Sequence, residues 1–106
     1  MNRHGMIIKV RPEKLDEYKR LHAEVWSEVL EAIADCNISN YSIYHRDGLL
    51  FGYFEYVGED FESDMATMAQ NKAIRDWWAL TDPCQGPLET AVPGEWWSKM
   101  EEVFHC

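Results

Sequence analysis

Residues 38–57, ISNYSIYHRDGLLFGYFEYV, hold two runs rich in Ile, Tyr, Phe and Leu around Arg-Asp-Gly. Asp-Gly between such runs is a strong signal for a tight turn, so the stretch reads as a β-hairpin. Side chains alternate across a strand. In the second run Leu50, Phe54 and Tyr56 fall on one face, and Leu49, Phe51 and Tyr53 on the other. Both faces are apolar or aromatic. A wide apolar sheet face does not stay bare in water, so each side of this hairpin needs a covering layer.

The rest of the chain supplies one layer. GMIIKVR (5–11) is a short apolar run that reads as a strand. Residues 11–36 read as a helix: Pro12 suits the first helical position, and Glu13, Asp16 and Glu17 suit the positive end of the helix dipole. Leu15, Tyr18, Val25, Trp26, Val29, Leu30 and Ile33 recur at steps of three and four and form one apolar stripe. Residues 58–82 also read as helical, with Asn71 a candidate break into two pieces. Residues 83–94, with three prolines and two glycines, read as a loop, and 95–106 can supply a last strand from about Met100.

The order is β-α-β-β-α-β in one domain spanning 1–106. That is the ferredoxin-like α+β pattern, an antiparallel sheet with both helices on one face. Two helices leave the other sheet face open. A second copy of the same sheet is the simplest cover, so a homodimer packed sheet face to sheet face, a dimeric α+β barrel, is expected.

The formal net charge of −9 argues against a nucleic-acid partner, since the Lys and Arg residues are scattered rather than clustered. A neutral, polar small molecule fits this surface best. No stretch of about twenty apolar residues exists, so no membrane span is expected. The start MNRHGMIIKV lacks a secretory pattern. Cys36, Cys84 and Cys106 are odd in number and widely spaced, which fits reduced thiols in a cytoplasmic protein rather than a disulfide framework or zinc site. His4, His22, His45 and His105 have no metal-ligand spacing, and no nucleotide-binding or serine-hydrolase motif is present, so neither a metal nor a nucleotide is expected.

Chemistry concentrates on the first helix. Tyr18, His22 and Trp26 stand four residues apart on the stripe that must face the sheet. An inward histidine is partly desolvated, with a phenol one turn away, and such an imidazole serves as a general acid or base. A lone histidine on an apolar helix face is also commonly a satisfied core residue. Trp77 and Trp78 are adjacent and differ by about 100° around a helix, so one can pack while the other closes a pocket. A flat indole stacks well on the C–H face of a sugar; two large core residues are the plainer alternative. Tyr41 shares a strand face with Ile43 and reaches the same pocket if that face looks toward the helices.

These blocks in this order resemble the L-rhamnose mutarotase family over nearly the whole chain. RPEKLDEYKRLHAEVWSEV resembles its Pro, Glu-Tyr, His and Trp pattern, and NYSIY (40–44) its Asn-Tyr-x-Ile-Tyr strand. LLFGYFE, Trp77-Trp78 and the terminal EEVF (101–104) follow at the right distances. The resemblance implies a small dimeric enzyme without cofactor that interconverts the α and β anomers of L-rhamnose. It implies His22 as the catalytic residue, Tyr18 and Tyr41 as sugar-contacting tyrosines, and Trp77 and Trp78 as the paired tryptophans. The 83–94 loop, EWW (95–97) and the FHC end depart from the family pattern. Two other readings share these features: a cofactor-free monooxygenase of the dimeric ferredoxin-like type, and a non-catalytic sugar-binding or sensor domain.

Overall fold

The computed structural model describes residues 1–106. Strand β1 is Asn2–Val10, followed by a 3-10 turn at Pro12–Lys14 and helices α1 (Leu15–Ala23) and α2 (Ser27–Asp35). The hairpin is β2 (Ile38–Arg46) and β3 (Leu49–Tyr56), and helices α3 (Phe61–Gln70) and α4 (Lys72–Thr81) follow. A 3-10 turn at Asp82–Cys84 leads to the short strands β4 (Gln85–Gly86) and β5 (Ser98–Met100). The sheet is antiparallel, in the order β2-β3-β1-β4, with β5 also paired to β1. This is the expected α+β, ferredoxin-like arrangement. No helix is long and apolar enough to cross a membrane.

Local chemistry accounts for most boundaries. Asp47 and Gly48 both have positive φ, 53° and 77°, as a two-residue hairpin turn with matching twist requires. Asn71 ends α3 and caps α4, its Oδ1 accepting from Ile74 N at 3.0 Å. Asp60 caps α3 in the same way through Ser63 N at 3.1 Å.

Three elements differ from the sequence expectation. The helix expected over 11–36 is broken at Glu24–Trp26. No side chain caps the second piece; the Trp26 carbonyl takes the N–H groups of Val29 and Leu30. The break leaves the Trp26 ring edge-on to Trp77 at 5.3 Å. The segment expected to be loop contains β4, whose Gln85 pairs with Val10. The last strand runs Ser98–Met100 rather than from about Met100, because it pairs with Gly5–Ile7, and 101–106 carry no regular secondary structure.

On the helix-facing side of the sheet lie His4, Met6, Ile8 and Val10 of β1 and Leu50, Phe54 and Tyr56 of β3, in register. They pack against Val29, Ala32, Met68, Ile74 and Trp77 of the helices in one cluster, and against Tyr18 and Cys84 in another. Each fully buried aliphatic here contributes about 1.5–3 kcal/mol. Gly52 sits on the same face, where a Cβ would come within 2.8 Å of Met6 Cε. The bare backbone leaves room there for Met6 and Trp97.

Candidate active site

Between helices and sheet lies a cleft of about 1330 Å³ bordered by Tyr18, His22, Tyr41, Trp77 and Trp78, together with Gln85 and Trp96. All five residues singled out in the sequence border this one space. Its size exceeds the roughly 300–1,000 Å³ of common small-molecule pockets, so a monosaccharide would fill only part of it.

Helix α1 sets the centre. Tyr18 is 5% exposed, and the His22 ring stacks on it with centroids 4.2 Å apart. Trp77 meets His22 edge-on at 5.3 Å. His22 Nδ1 lies 2.8 Å from the Tyr18 backbone oxygen. A carbonyl can only accept, so Nδ1 carries the proton and donates it, and Nε2 keeps its lone pair. Burial lowers the His22 pKa, while the bond to the Tyr18 carbonyl opposes that shift in part. The ring is therefore neutral at pH 7, with Nε2 as a base.

Tyr41 reaches the cleft through a β-bulge. The β2–β3 register shifts between Ser39 and Ser42, and Asn40 has φ of 49°. Asn40 turns outward, its amide donating to Glu55 at 2.6 Å. The extra residue inverts the alternation, so Ile38 and Tyr41 both face the helices. Tyr41 packs on Phe54 with centroids 5.6 Å apart. Its residue surface is 38% exposed to the cleft mouth, yet its phenol is desolvated and its pKa is pushed up to about 12. The Tyr18 phenol is pushed higher still, by burial first and then by the proximity of Tyr41. Both hydroxyls stay protonated through the neutral range.

The two tryptophans divide as adjacent helical residues must. Trp77 is 6% exposed and packs on His22 and Trp26, whereas Trp78 is 38% exposed at the cleft border.

Gln85, Trp96 and Asp82 also belong to this site; sequence reasoning missed Gln85 and Asp82, and raised Trp96 only as part of EWW (95–97), where one tryptophan can pack while the other closes a pocket. Gln85 is 3% exposed, and its Nε2 donates to the Tyr18 hydroxyl at 3.0 Å. Trp96 Nε1 donates to Gln85 Oε1 at 3.3 Å. Asp82 also borders the cleft; burial raises its pKa, and the Trp96 indole N–H partly offsets that. These three come from the Pro- and Gly-rich tail of the fold, where no periodicity marks a facing side chain.

The family model for L-rhamnose mutarotase matches residues 3–106. The chain belongs to the L-rhamnose mutarotase family. An L-rhamnose mutarotase of Oceanobacillus iheyensis is 34% identical over 107 residues, covering 99% of this chain and 98% of the relative. One from Mannheimia succiniciproducens is 37% identical over 113 residues, with the same two coverages of 99% and 98%. The crystal structure of an L-rhamnose mutarotase from Formosa agariphila superposes with a TM-score of 0.77 at 21% identity, covering 100% of this chain and 99% of that one. Tetracenomycin F2 cyclase from Streptomyces glaucescens, a type-II polyketide cyclase, superposes with a TM-score of 0.72 at 12% identity, covering 100% and 97%. The second likeness is one of fold alone, and fold does not carry chemistry. The family does: its members are isomerases, and the expectation of an isomerase working at an anomeric carbon holds at that level.

Proposed function

We propose that this chain interconverts the α and β anomers of L-rhamnose, with His22 as the acid–base residue. The observation that carries the residue assignment is the fixed tautomer of His22: a neutral imidazole with its Nε2 lone pair unclaimed, in a partly dry cleft. Mutarotation needs only proton transfers. Nε2 takes the proton of the anomeric hydroxyl as the C1–O5 bond breaks, and the imidazolium so formed delivers that proton to O5. The aldehyde rotates about C1–C2, and attack on its other face closes the ring with the protons returned. A positioned base contributes about 10²–10⁴-fold, roughly 3–5 kcal/mol off the barrier.

Tyr18 and Tyr41 hold sugar oxygens by hydrogen bonds, and Trp78, the more open of the pair, stacks on the apolar ring face while Trp77 braces His22. No cofactor takes part. A net charge of −9 is compatible with a neutral sugar.

The outer sheet face supports a homodimer. Ile7, Leu49 and Phe51 are half-buried there, and Tyr44 is 67% exposed. Packing this face on that of a second copy would bury them. Buried free thiols at Cys36 and Cys84 fit the reducing cytoplasm.

Saturation-transfer NMR on equilibrated L-rhamnose tests the reading. Exchange between the two anomeric proton signals, present with the wild type and lost with His22→Ala, is expected. No exchange by the wild type would sink it, and oxygen uptake on a polycyclic aromatic substrate would then be the next assay.

A further inference from the structure

The structure assigns Gln85 and Trp96 as positioning residues that turn the Tyr18 hydroxyl into a fixed hydrogen-bond donor aimed at the substrate. The inference rests on the proposed mutarotase reaction.

The chain of bonds runs in one direction. An indole N–H can only donate. Trp96 Nε1 donates to Gln85 at 3.3 Å, so the atom facing it is the amide oxygen. The Gln85 NH₂ is then the atom 3.0 Å from the Tyr18 hydroxyl, and it donates there. A flipped amide would let its oxygen accept from Tyr18, but it would set its NH₂ against the indole N–H and leave that buried NH₂ without an acceptor, at a cost of about 1–3 kcal/mol. With its oxygen accepting from Gln85, Tyr18 has no protein acceptor for its own proton. That proton points into the cleft. Burial keeps the phenol protonated, so Tyr18 is a donor throughout the working pH range.

A pyranose ring oxygen is an ether and can only accept. It is also the atom that gains a proton when the ring opens. A donor held toward it before the reaction meets the developing charge without reorientation. The ring oxygen is thus the sugar atom this hydroxyl suits. Gln85 lies on β4, opposite Val10, and Trp96 just before β5, so two short late strands carry the device.

Gln85→Glu tests it, because a carboxyl group keeps the acceptor for Trp96 while its protonation decides the direction of the Tyr18 bond. Protonated, the group donates to Tyr18 as the amide does. Ionised, it only accepts, and the Tyr18 proton turns away from the sugar. The ratio of variant to wild-type kcat is expected to fall about tenfold as pH rises through the new carboxyl's pKa. The titratable groups around Tyr18, namely His22, Tyr41, Asp82 and Cys84, are common to both proteins. The new carboxylate acts on them through space with or without the phenol, so the Tyr18→Phe background reads that contribution, and the fall there is expected to be much smaller. A pH-independent ratio, or the same fall without the phenol, would overturn the assignment.

Trp96→Phe guards against a variant that does not fold. It frees the amide to flip, and a several-fold loss of kcat, absent in the Tyr18→Phe background, is expected; an equal loss there counts against the proposal. One readout is independent of turnover. In ¹H–¹⁵N spectra the Trp96 indole N–H should stay in place in Gln85→Glu and move upfield in Gln85→Leu. An indole signal indifferent to Gln85→Leu refutes the bond chain even if the wild type is an active mutarotase. A wild type inactive on L-rhamnose whose indole signal responds as expected refutes the reaction and leaves the bond chain standing.

Discussion

His22 and His4 stand in the same cleft, and burial lowers the pKa of both. Both stack on aromatic rings. His22 lies on Tyr18 at 4.2 Å, and His4 lies near-parallel to Phe54 at 4.8 Å and to Phe61 at 4.6 Å, in a three-ring cluster with them. Their wiring differs. His22 has Nδ1 tied to a backbone carbonyl at 2.8 Å, which fixes one tautomer and leaves Nε2 unclaimed. His4 has its Nε2 buried with no hydrogen-bond partner. Its ring is held by stacking alone, and Lys99 adds to the burial that disfavours its charged form. A lowered pKa therefore does not distinguish the proposed acid–base histidine from a packed one. The hydrogen bond that sets the tautomer is what the two do not share.

The largest effect that could break this contrast is at His22. His22→Ala should slow anomer exchange by about 10²–10⁴-fold, read by saturation transfer, with the fold intact by circular dichroism. Trp77→Ala removes the brace of the same ring. It should cost about 3–5 kcal/mol in a urea titration, because Trp77 is 6% exposed and packs edge-on against both His22 and Trp26. A loss under 1 kcal/mol would mean that this corner of the core is not packed as described.

Acid should act on both histidines in the same sense. Each has a folded pKa below its unfolded value near 6.5. The unfolded chain therefore binds protons first, and stability present above about pH 6.5 declines as pH falls toward the folded pKa values. Activity should also decline, but only as pH falls through the lower, folded pKa of His22. An activity limb at or above 6.5 would contradict a desolvated His22. The smallest expected effect is at His4. His4→Phe should leave kcat within about twofold and raise stability by about 1 kcal/mol, since it removes an unpaired buried nitrogen. It should also lessen the acid loss of stability. A folded His4→Phe protein with little activity would end the distinction between the two rings.

Much of this was legible in the sequence, for local reasons. Asp47-Gly48 encodes its own turn, and Asn71 its own cap and helix break. Helical spacing puts Tyr18 and His22 on one side of α1, and both do border the cleft between helices and sheet; the expected continuation to Trp26 ends at the helix break. What stayed hidden depends on distant partners. Nothing in Glu24-Val25-Trp26 breaks a helix by propensity; the break accompanies the packing of Trp26 on Trp77. The bulge at Asn40 obeys pairing with β3, and without it Tyr41 would face outward. Gln85 meets Tyr18 across 67 positions, and Trp96 reaches Gln85 from a Pro-rich segment, so no spacing rule connects them.

The proposed role of His22 turns on the protonation of its ring. Histidine-detected ¹⁵N NMR of the whole protein at neutral pH reads it directly. A His22 whose Nδ1 is protonated and whose Nε2 resonates as an unprotonated acceptor, shifting on addition of L-rhamnose, is the predicted result. A protonated Nε2, or a charged ring at pH 7, would contradict it, because His22 would then offer no lone pair to the sugar.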